Sequence, residues 1–425
     1  MTKGHSASTL GPAAAGRLAE PDRLVAGGVV AGRPQLLRAM NEESLVNALR
    51  RNGPLMRADL TRVCGLSKPT VGLGLGNLER DGLVRLAGRR RGGRGPSAVV
   101  YEVNPEAGFV LAVDVGREFV RGALADMAGT VRARGRRSVH AARGHGRVAE
   151  LIGLAAGLAE EAGVSPGAIT DFVVGSPGVY DPQRDALTLA GGLPGWGHSS
   201  VVADLRRAFG PNMVLENDIN LAALAERDHG HGREVDNFAF ISVGTGIGMG
   251  LVLAGRLHKG VHGAAGEIGF LPLGGEGPVD ASDARRRGTL EAAASAAGVV
   301  RAARRHGMSG RISARRVFEA AAAGDKDATA VVAEEAGLVA RAVAAVSLVA
   351  DPDLVVLGGG IGSAPGFAEV VAAELRRLLS TVPDVRVSAM GGEATVEGGL
   401  RLGIDRAWHR ALDRGAPANR EGIPL

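Results

Sequence analysis

Apolar residues recur at helical spacing near the start of the chain. A first helix is predicted to begin at Asn41, which can cap it, and to end before Gly53; its inward positions are Leu45, Val46 and Leu49. A second, shorter helix is predicted from Arg57 to Cys64, with Leu60 and Val63 facing inward. Two short amphipathic helices are therefore expected between residues 41 and 64.

A third helix and a β-hairpin are predicted directly afterwards. Gly65 provides a tight turn and Ser67 an N-cap, and the buried positions of the helix are Val71, Leu75 and Leu78. The hairpin strands are predicted over Leu83 to Leu86 and Val99 to Val103, with a loop from Arg89 to Pro96. This order of elements is typical of a winged helix-turn-helix.

Positive charge is concentrated in the same part of the chain. Residues 50–97 hold eleven Lys and Arg against three Asp and Glu, although the net charge of the whole chain is only +5. A basic module on a mildly acidic body is typical of proteins that bind nucleic acid. We interpret residues 34–103 as a winged helix-turn-helix domain for double-stranded DNA, with a helical protein-interaction module as the alternative. The predicted DNA contacts are Ser67, Lys68, Thr70, Arg89, Arg90, Arg91 and Arg94.

Glycines interrupt the predicted recognition helix at Gly72, Gly74 and Gly76. Each one costs about 1 kcal/mol relative to alanine at an exposed helical position. The helix is therefore expected to fray until DNA orders it.

The first 33 residues and the cysteine content limit the class of protein. Residues 1–33 are rich in Ala, Gly and Pro without periodicity and are predicted to form a mobile tail. Their apolar run from Leu24 to Ala31 is too short to span a membrane and does not follow a basic segment. We expect no signal peptide, no membrane contact and a cytoplasmic location. Cys64 is the single cysteine, which excludes an intramolecular disulfide.

From residue 107 onward strands and helices alternate, and one pattern occurs twice. Apolar strands lead into a glycine turn and a returning strand around Gly116 and again around Gly244, 128 residues later. The duplication predicts an α/β body, residues 107–425, built from two related lobes. A cleft between lobes is the default site for a ligand.

Two glycine-rich segments and an acidic strand end supply candidate chemistry for that cleft. The turn after Val243 can offer backbone N–H groups to an anion, although ordinary hairpins also contain such glycines. A second glycine turn follows the predicted strand Leu354 to Leu357, where a nucleotide could rest. Asn217 and Asp218 end another strand, and their amide and carboxylate suit polyol hydroxyls. Asp218 as the N-cap of the next helix is an equally good interpretation.

Taken together, these segments resemble the ROK family of repressors, open reading frames and kinases, in particular its transcriptional-repressor branch. The motifs occur in the family's order over about residues 36 to 413: Gly65 to Val71, Gly175 to Gly178, Leu193 to Trp196, Glu216 to Asp218, Gly244 to Gly248 and Ala265 to Glu267. The resemblance implies a DNA-binding head followed by a two-lobed, actin-like ATPase domain, as in sugar kinases.

The resemblance also implies roles for individual residues. Asn217, Asp218, Glu267 and Glu291 would bind a sugar, and Asp218 would be the catalytic base in a kinase, here vestigial or active. The implied nucleotide-binding positions are Asp114, Gly244, Thr245, Gly246, Gly248, Gly358 and Gly359.

Three departures from the family pattern change the expected function. Arg117 and Glu118 stand in the first phosphate loop, where kinases of the family carry Gly and Thr, so phosphate binding is disfavoured. Phe270 replaces a histidine that binds both zinc and sugar in relatives. The segment 277–290 lacks the family's cysteine cluster, so we expect no metal site and no zinc.

The sequence therefore predicts a non-catalytic, sugar-responsive DNA-binding regulator, most simply a repressor of carbohydrate genes. It would act as a homodimer on a palindromic operator, with a sugar or sugar phosphate as effector and no required cofactor. The first alternative is an ATP- and Mg²⁺-dependent sugar kinase that keeps a DNA-binding head. The second is a ligand-independent regulator with a decayed sugar pocket, which Phe270 favours.

Overall fold

The chain begins with three helices and a small sheet. The computed structural model describes residues 34–90, 98–139, 144–190, 193–273, 284–285 and 288–413. The predicted mobile tail (1–33), Arg91, Arg94 and most of the segment 277–290 lie outside this part. The elements of the head are α1 (Pro34–Asn52), β1 (Leu55–Met56), α2 (Arg57–Cys64), α3 (Lys68–Arg80), β2 (Val84–Arg90) and β3 (Ala98–Val103). The strands pair in the order β1-β3-β2.

The predicted recognition helix forms as expected, and its glycines do not break it. Ser67 caps α3 by accepting a hydrogen bond from the Thr70 amide at 3.3 Å. The predicted inward residues Val71, Leu75 and Leu78 are all buried. The helix is continuous from Lys68 to Arg80, and its fraying in the absence of DNA stays a prediction. Gly74 has a packing reason, since a Cβ there would lie 2.6 Å from Leu45 Cδ1 of α1.

Three predictions about the head are wrong. The first helix begins at Pro34 and not at Asn41, because proline suits a first helical turn and Arg38 pairs with Glu42 one turn later, at 2.9 Å. Val63 is 51% exposed, since the last inward position of α2 is taken by Cys64, whose thiol contacts the Ser44 carbonyl. β2 extends to Arg90, past a bulge at Leu86 to Gly88. Arg89 and Arg90 therefore lie on a strand and not in the loop.

The first lobe is a five-stranded mixed sheet with helices. Its strands pair in the order β10-β7-β4-β5-β6. In chain order its elements are β4 (Phe109–Val115), β5 (Phe119–Asp126), β6 (Val131–Ser138), α4 (Gly144–Glu161), β7 (Ile169–Ser176), a hairpin of β8 (Val179–Asp181) and β9 (Ala186–Thr188), α5 (Ser199–Phe209), β10 (Met213–Asn217) and α6 (Asp218–His229). The apolar runs are buried because both faces of the sheet are covered.

The second lobe repeats this architecture. Its sheet order is β13-β12-β11-β14-β15. Its elements are β11 (Phe238–Val243), β12 (Ile247–Leu253), β13 (Arg256–His258), α7 (Thr289–Ala294), α8 (Ala296–Arg305), α9 (Ala314–Ala322), α10 (Lys326–Ala350), β14 (Leu354–Gly358), the single turn α11 (Gly359–Gly362), α12 (Phe367–Leu378), β15 (Asp384–Val387) and α13 (Ala394–Asp413).

The internal duplication predicted from the glycine turns is present. β4 pairs antiparallel with β5 and parallel with β7, and β11 pairs antiparallel with β12 and parallel with β14. Gly116 and Gly244 occupy the equivalent turns. The α/β, two-lobed fold class is thereby confirmed.

Two helices connect the lobes and the head. α6 packs against β11 and β12 of the second sheet, and α13 packs against α6 and the first sheet. Near its end α13 meets the head: Arg50 of α1 pairs with Asp405 at 2.6 Å and lies over the Trp408 ring. One hydrophobic core runs through the head, the first lobe and α13. Within the described residues no helix has the length and apolar character needed to cross a bilayer.

Candidate ligand cleft and DNA-binding surface

A cavity of about 420 Å³ lies between the two lobes. The first lobe contributes Asp114 and Arg117, and the junction of β10 and α6 contributes Asn217 and Asp218. The second lobe contributes the turn at Gly244 and the turn at Gly359. The predicted residues that the cavity brings together are Asp114, Asn217, Asp218, Gly244, Thr245, Gly246, Gly248, Glu267, Glu291 and Gly359. Gly358 does not line it; a side chain there would collide with the Phe240 ring, so packing explains this glycine.

Asn217 is the N-cap of α6, and the alternative interpretation of Asp218 as the cap is wrong. The Asn217 carboxamide oxygen accepts from the amides of Ile219 and Asn220, at 2.9 and 3.0 Å. Its Nδ2 donates to the Gly178 carbonyl at 3.1 Å. Asn217 thus fixes the start of α6 against the β8 strand, and this placement leaves the Asp218 carboxylate at the cleft.

Four carboxyl groups share the cleft, and burial together with a neighbouring carboxylate raises the pKa of three of them. Burial, with the carboxylate of Asp218 nearby, raises the pKa of Asp114 to about 7. Burial, with Glu267 nearby, raises the pKa of Asp218 to about 6. Burial, with Glu291 nearby, raises the pKa of Glu267 to about 7. The cleft can therefore hold protonated carboxyls near neutral pH, which donate as well as accept hydrogen bonds.

The first glycine turn is held by a buried arginine from α4. Arg147 is 4% exposed. Its guanidinium donates to the Gly116 carbonyl at 2.8 Å and to the Arg117 carbonyl at 3.2 Å. Beside this turn, Arg121 reaches Asp114 at 3.4 Å and the Gly392 carbonyl at 3.1 Å. The positive charge of Arg121 therefore faces Asp114, an expected nucleotide-binding residue, and partly offsets the effect of burial on its pKa.

The second glycine turn is held by an acid. Glu291 Oε2 accepts from the Ile247 amide at 3.0 Å, and a Cβ at Gly246 would lie 2.7 Å from the same oxygen. The Gly244 amide donates to the Gly246 carbonyl at 2.9 Å, inside the turn. Two amides of the predicted phosphate loop are therefore already used by the protein itself. Glu291 lines the cavity from this position.

Several residues of the site carry no signal in the sequence. Arg121, Arg147 and Thr395 have no motif of their own, and their partners lie 7, 31 and 177 residues away along the chain. Thr395 donates from its hydroxyl to the Asp218 carbonyl at 3.2 Å, which joins α13 to the start of α6. Arg147 lies in the first turn of α4, and its position in the sequence gives no signal of its role.

The segment 277–290, for which no zinc site is expected, is described only in part. Phe270 is 40% exposed and does not line the cavity. Across the residues that the structure describes, no group of three or more His, Cys, Asp or Glu is placed to hold a metal ion.

The predicted DNA contacts of the head lie at its surface. Ser67 and Lys68 are exposed at the start of α3, while the Thr70 hydroxyl is bonded to that of Ser67 at 2.7 Å. Arg89 and Arg90 are exposed at the end of β2. The start of α3 and the β2–β3 hairpin, which forms the wing, therefore both present polar or basic groups to solvent.

Comparison with known proteins identifies the family. The sequence profile of the ROK family matches residues 110–403. The chain belongs to the ROK family. It is 26% identical over 244 residues to the xylose repressor of Bacillus subtilis, a match that covers 57% of this chain and 62% of the relative. It is 32% identical over 227 residues to a glucokinase of Thermotoga maritima, covering 50% of this chain and 70% of that enzyme.

A solved structure has the same overall fold. It is a ROK family transcriptional regulator described as a homologue of the E. coli MLC protein. The TM-score is 0.72 at 22% identity, and the match covers 89% of this chain and 99% of the other. The chain thus matches ROK regulators and ROK kinases alike, and the family alone does not decide between the two activities.

Proposed function

We propose that this ROK protein is a sugar-responsive, DNA-binding transcriptional regulator, most simply a repressor of carbohydrate genes. Residues 34–103 bind the operator, and residues 107–425 bind the effector. The observation that carries this proposal is α13, a single helix that lines the cleft at one end and touches the head at the other.

The contacts at the two ends of α13 connect ligand and DNA. At the cleft, Ala394 and Thr395 line the cavity, and Thr395 holds the Asp218 carbonyl. At the head, Asp405 and Trp408 contact Arg50 of α1. A ligand that prefers one arrangement of the lobes shifts the position of α13, and by linkage it changes operator affinity. Two heads in a homodimer would then match or miss the spacing of the half-sites.

The cleft supports binding of a sugar hydroxyl set without phosphoryl transfer. Asn217, Asp218, Glu267 and Glu291 offer acceptors and donors for hydroxyls. Arg147 donates to the carbonyls of the turn at Gly116, and Glu291 accepts from an amide of the turn at Gly244. Asp114 lines the cavity, but an Arg121 guanidinium nitrogen lies 3.4 Å from its carboxylate, and this positive charge opposes binding of a magnesium ion there. We therefore propose that no nucleotide or metal cofactor is required and that no structural zinc is bound, which elemental analysis after chelator dialysis will test.

The test begins with selection of an operator from a random duplex library by the full chain. Binding to the selected duplex is then titrated with sugars and sugar phosphates. With 6 to 10 phosphate contacts in the complex, log affinity is expected to fall with log salt concentration with a slope of roughly −5 to −9. Binding that does not depend on salt would contradict the DNA-binding assignment.

Coupling through α13 is tested by Arg50→Leu, with Arg51→Leu as the matched control. Both changes remove one exposed or half-buried cation from the end of α1, but Arg50 alone contacts Asp405 and Trp408. Arg50→Leu is expected to reduce the effect of the sugar on DNA binding while the sugar still binds. An equal loss in both variants would argue against the α13 route.

A sugar kinase with a DNA-binding head is the second candidate, and Asp218 favours it. Its carboxylate lies at the cleft with a pKa raised to about 6 by burial, which suits a general base. Incubation with ATP, Mg²⁺ and a sugar panel separates the candidates. Sustained ATP turnover that Asp218→Asn abolishes would establish the kinase, and no melting shift with any sugar would favour the ligand-independent regulator.

A further inference from the structure

The exposed face of α3 carries an apolar side chain that the fold does not use. Leu73 is 66% exposed, whereas the other leucines of this helix, Leu75 and Leu78, are fully buried. A large exposed leucine on a small basic head gains nothing from folding, because its surface stays in water. Its position one turn after the capped start of α3 places it among the residues that a recognition helix presents to base edges.

Two glycines beside Leu73 are equally unexplained by packing. A Cβ added at Gly72 or Gly76 would meet no atom within 4 Å, in contrast to Gly74, which must be small to admit Leu45. Glycine is among the least favourable residues inside a helix. The two glycines therefore lower the helix propensity of α3, and no packing contact within the protein compensates for this. Gly72 and Gly76 are four residues apart and lie on the same side of α3 as Leu73. On this side of the helix the backbone is therefore not covered by side chains at the two glycines.

Positive charge borders this face. Lys68 lies exposed at the start of α3 and Arg80 at its end, and Arg89 and Arg90 are exposed on the wing strand. A narrow apolar strip between cations matches a DNA groove, where phosphates stand on both sides and base edges form the floor. Charge complementarity thus favours a duplex over another protein as the occupant.

We infer that Leu73 reads sequence by packing its side chain against the 5-methyl group of a thymine in the major groove. The bare backbone at Gly72 and Gly76 lets α3 approach the groove floor closely enough for this contact. Among the base atoms exposed in the major groove, the thymine methyl is the apolar one, so a leucine there discriminates thymine from cytosine and from uracil. The inference rests on the proposed DNA-binding function.

The experiment removes the methyl groups one at a time. A duplex selected from a random library by the full chain is resynthesised with uracil in place of each single thymine, and its dissociation constant is measured by fluorescence anisotropy. Wild-type protein is expected to lose about fourfold in affinity at one thymine of each half-site, the value of one buried methyl group. Leu73→Ala is expected to bind the thymine and uracil duplexes equally, and Leu73→Met to keep the preference.

Val63→Ala provides the matched control, since Val63 is also an exposed aliphatic residue of the head but lies on α2. It is expected to retain the full thymine preference. In addition, Gly72→Ala and Gly76→Ala are expected to raise the melting temperature and yet weaken binding to the selected duplex. These opposite signs would not arise if the glycines merely destabilised the helix.

The outcomes separate this inference from the proposed function. If no duplex is selected, both the proposed DNA binding and the role of Leu73 in reading thymine are overturned. If a duplex is selected but no thymine responds to uracil, or Leu73→Ala keeps the response, the head binds DNA and the role of Leu73 is overturned.

Discussion

The two glycine turns of the lobes have the same backbone setting and opposite chemistry. Each joins two antiparallel strands at the mouth of the cleft, at Gly116 and at Gly244. At the first turn a buried arginine donates to the carbonyls, and at the second a glutamate accepts from an amide. The repeated strand-turn-strand unit thus determines the position of each loop. The charge that contacts the loop is determined by a side chain that is distant in sequence.

This contrast explains why a glycine pattern alone does not predict phosphate binding. Successive amides form an anion site only where nothing else uses them. Here Glu291 supplies an internal anion at the second turn, and the carbonyls of the first turn face a cation. Breaking each contact separately tests whether the two turns depend on these side chains.

The largest effect is expected for the first turn. Arg147→Met removes the hydrogen bonds to Gly116 and Arg117 and leaves both carbonyls without their charged donor. The free energy of unfolding should fall by about 3 kcal/mol, since bonds to charged groups are the stronger ones. Urea denaturation measures this. The control is Arg136→Met on the exposed strand β6, and equal stability of the two variants would contradict the assigned role of Arg147.

A smaller effect is expected from pH, through Asp114 beside the first turn. Its pKa is 3.8 in the unfolded chain and about 7 in the folded protein, so the folded state binds the proton more tightly. The stabilisation is complete below about pH 4 and is lost as pH rises through 7. Between pH 5 and 8 the free energy of unfolding should fall by roughly 2 to 3 kcal/mol from this group. Asp114→Asn should flatten the profile, and an unchanged slope would show that another group titrates.

The smallest effect is expected for the second turn. Glu291→Gln keeps an oxygen that can accept from the Ile247 amide but removes the charge. The loss should be about 1 kcal/mol, the difference between a charged and a neutral hydrogen bond. The same variant should lower the pKa of Glu267, because Glu291 is one of its two causes. Thermal melts at pH 5 and 8 should show a weaker pH dependence for this variant than for the wild type. An identical pH dependence would show that Glu291 does not influence the titration of Glu267.

The fold was largely predictable from the sequence, but parts of the site were not. Strands β4, β11 and β14 follow from continuous apolar runs, and Asn217, Asp218 and Glu267 follow from local motifs. The start of α1 was misplaced because a good capping residue, Asn41, also fits inside a longer helix. Arg121, Arg147 and Thr395 could not be assigned, because their roles depend on partners that only the tertiary fold brings near.

In the proposed function, helix α13 would transmit a movement from the cleft to the head. It has 20 residues and is therefore about 30 Å long, and its three glycines, Gly398, Gly399 and Gly403, press its backbone against α6 and the first sheet. Such tight seating makes it move as one rod. Asp405 lies ten residues beyond Thr395, which is about 15 Å along the helix axis. In the proposed function, a tilt of about 5° at the cleft would displace Asp405 by about 1.3 Å, which is enough to lengthen its 2.6 Å contact with Arg50 beyond the range of a hydrogen bond.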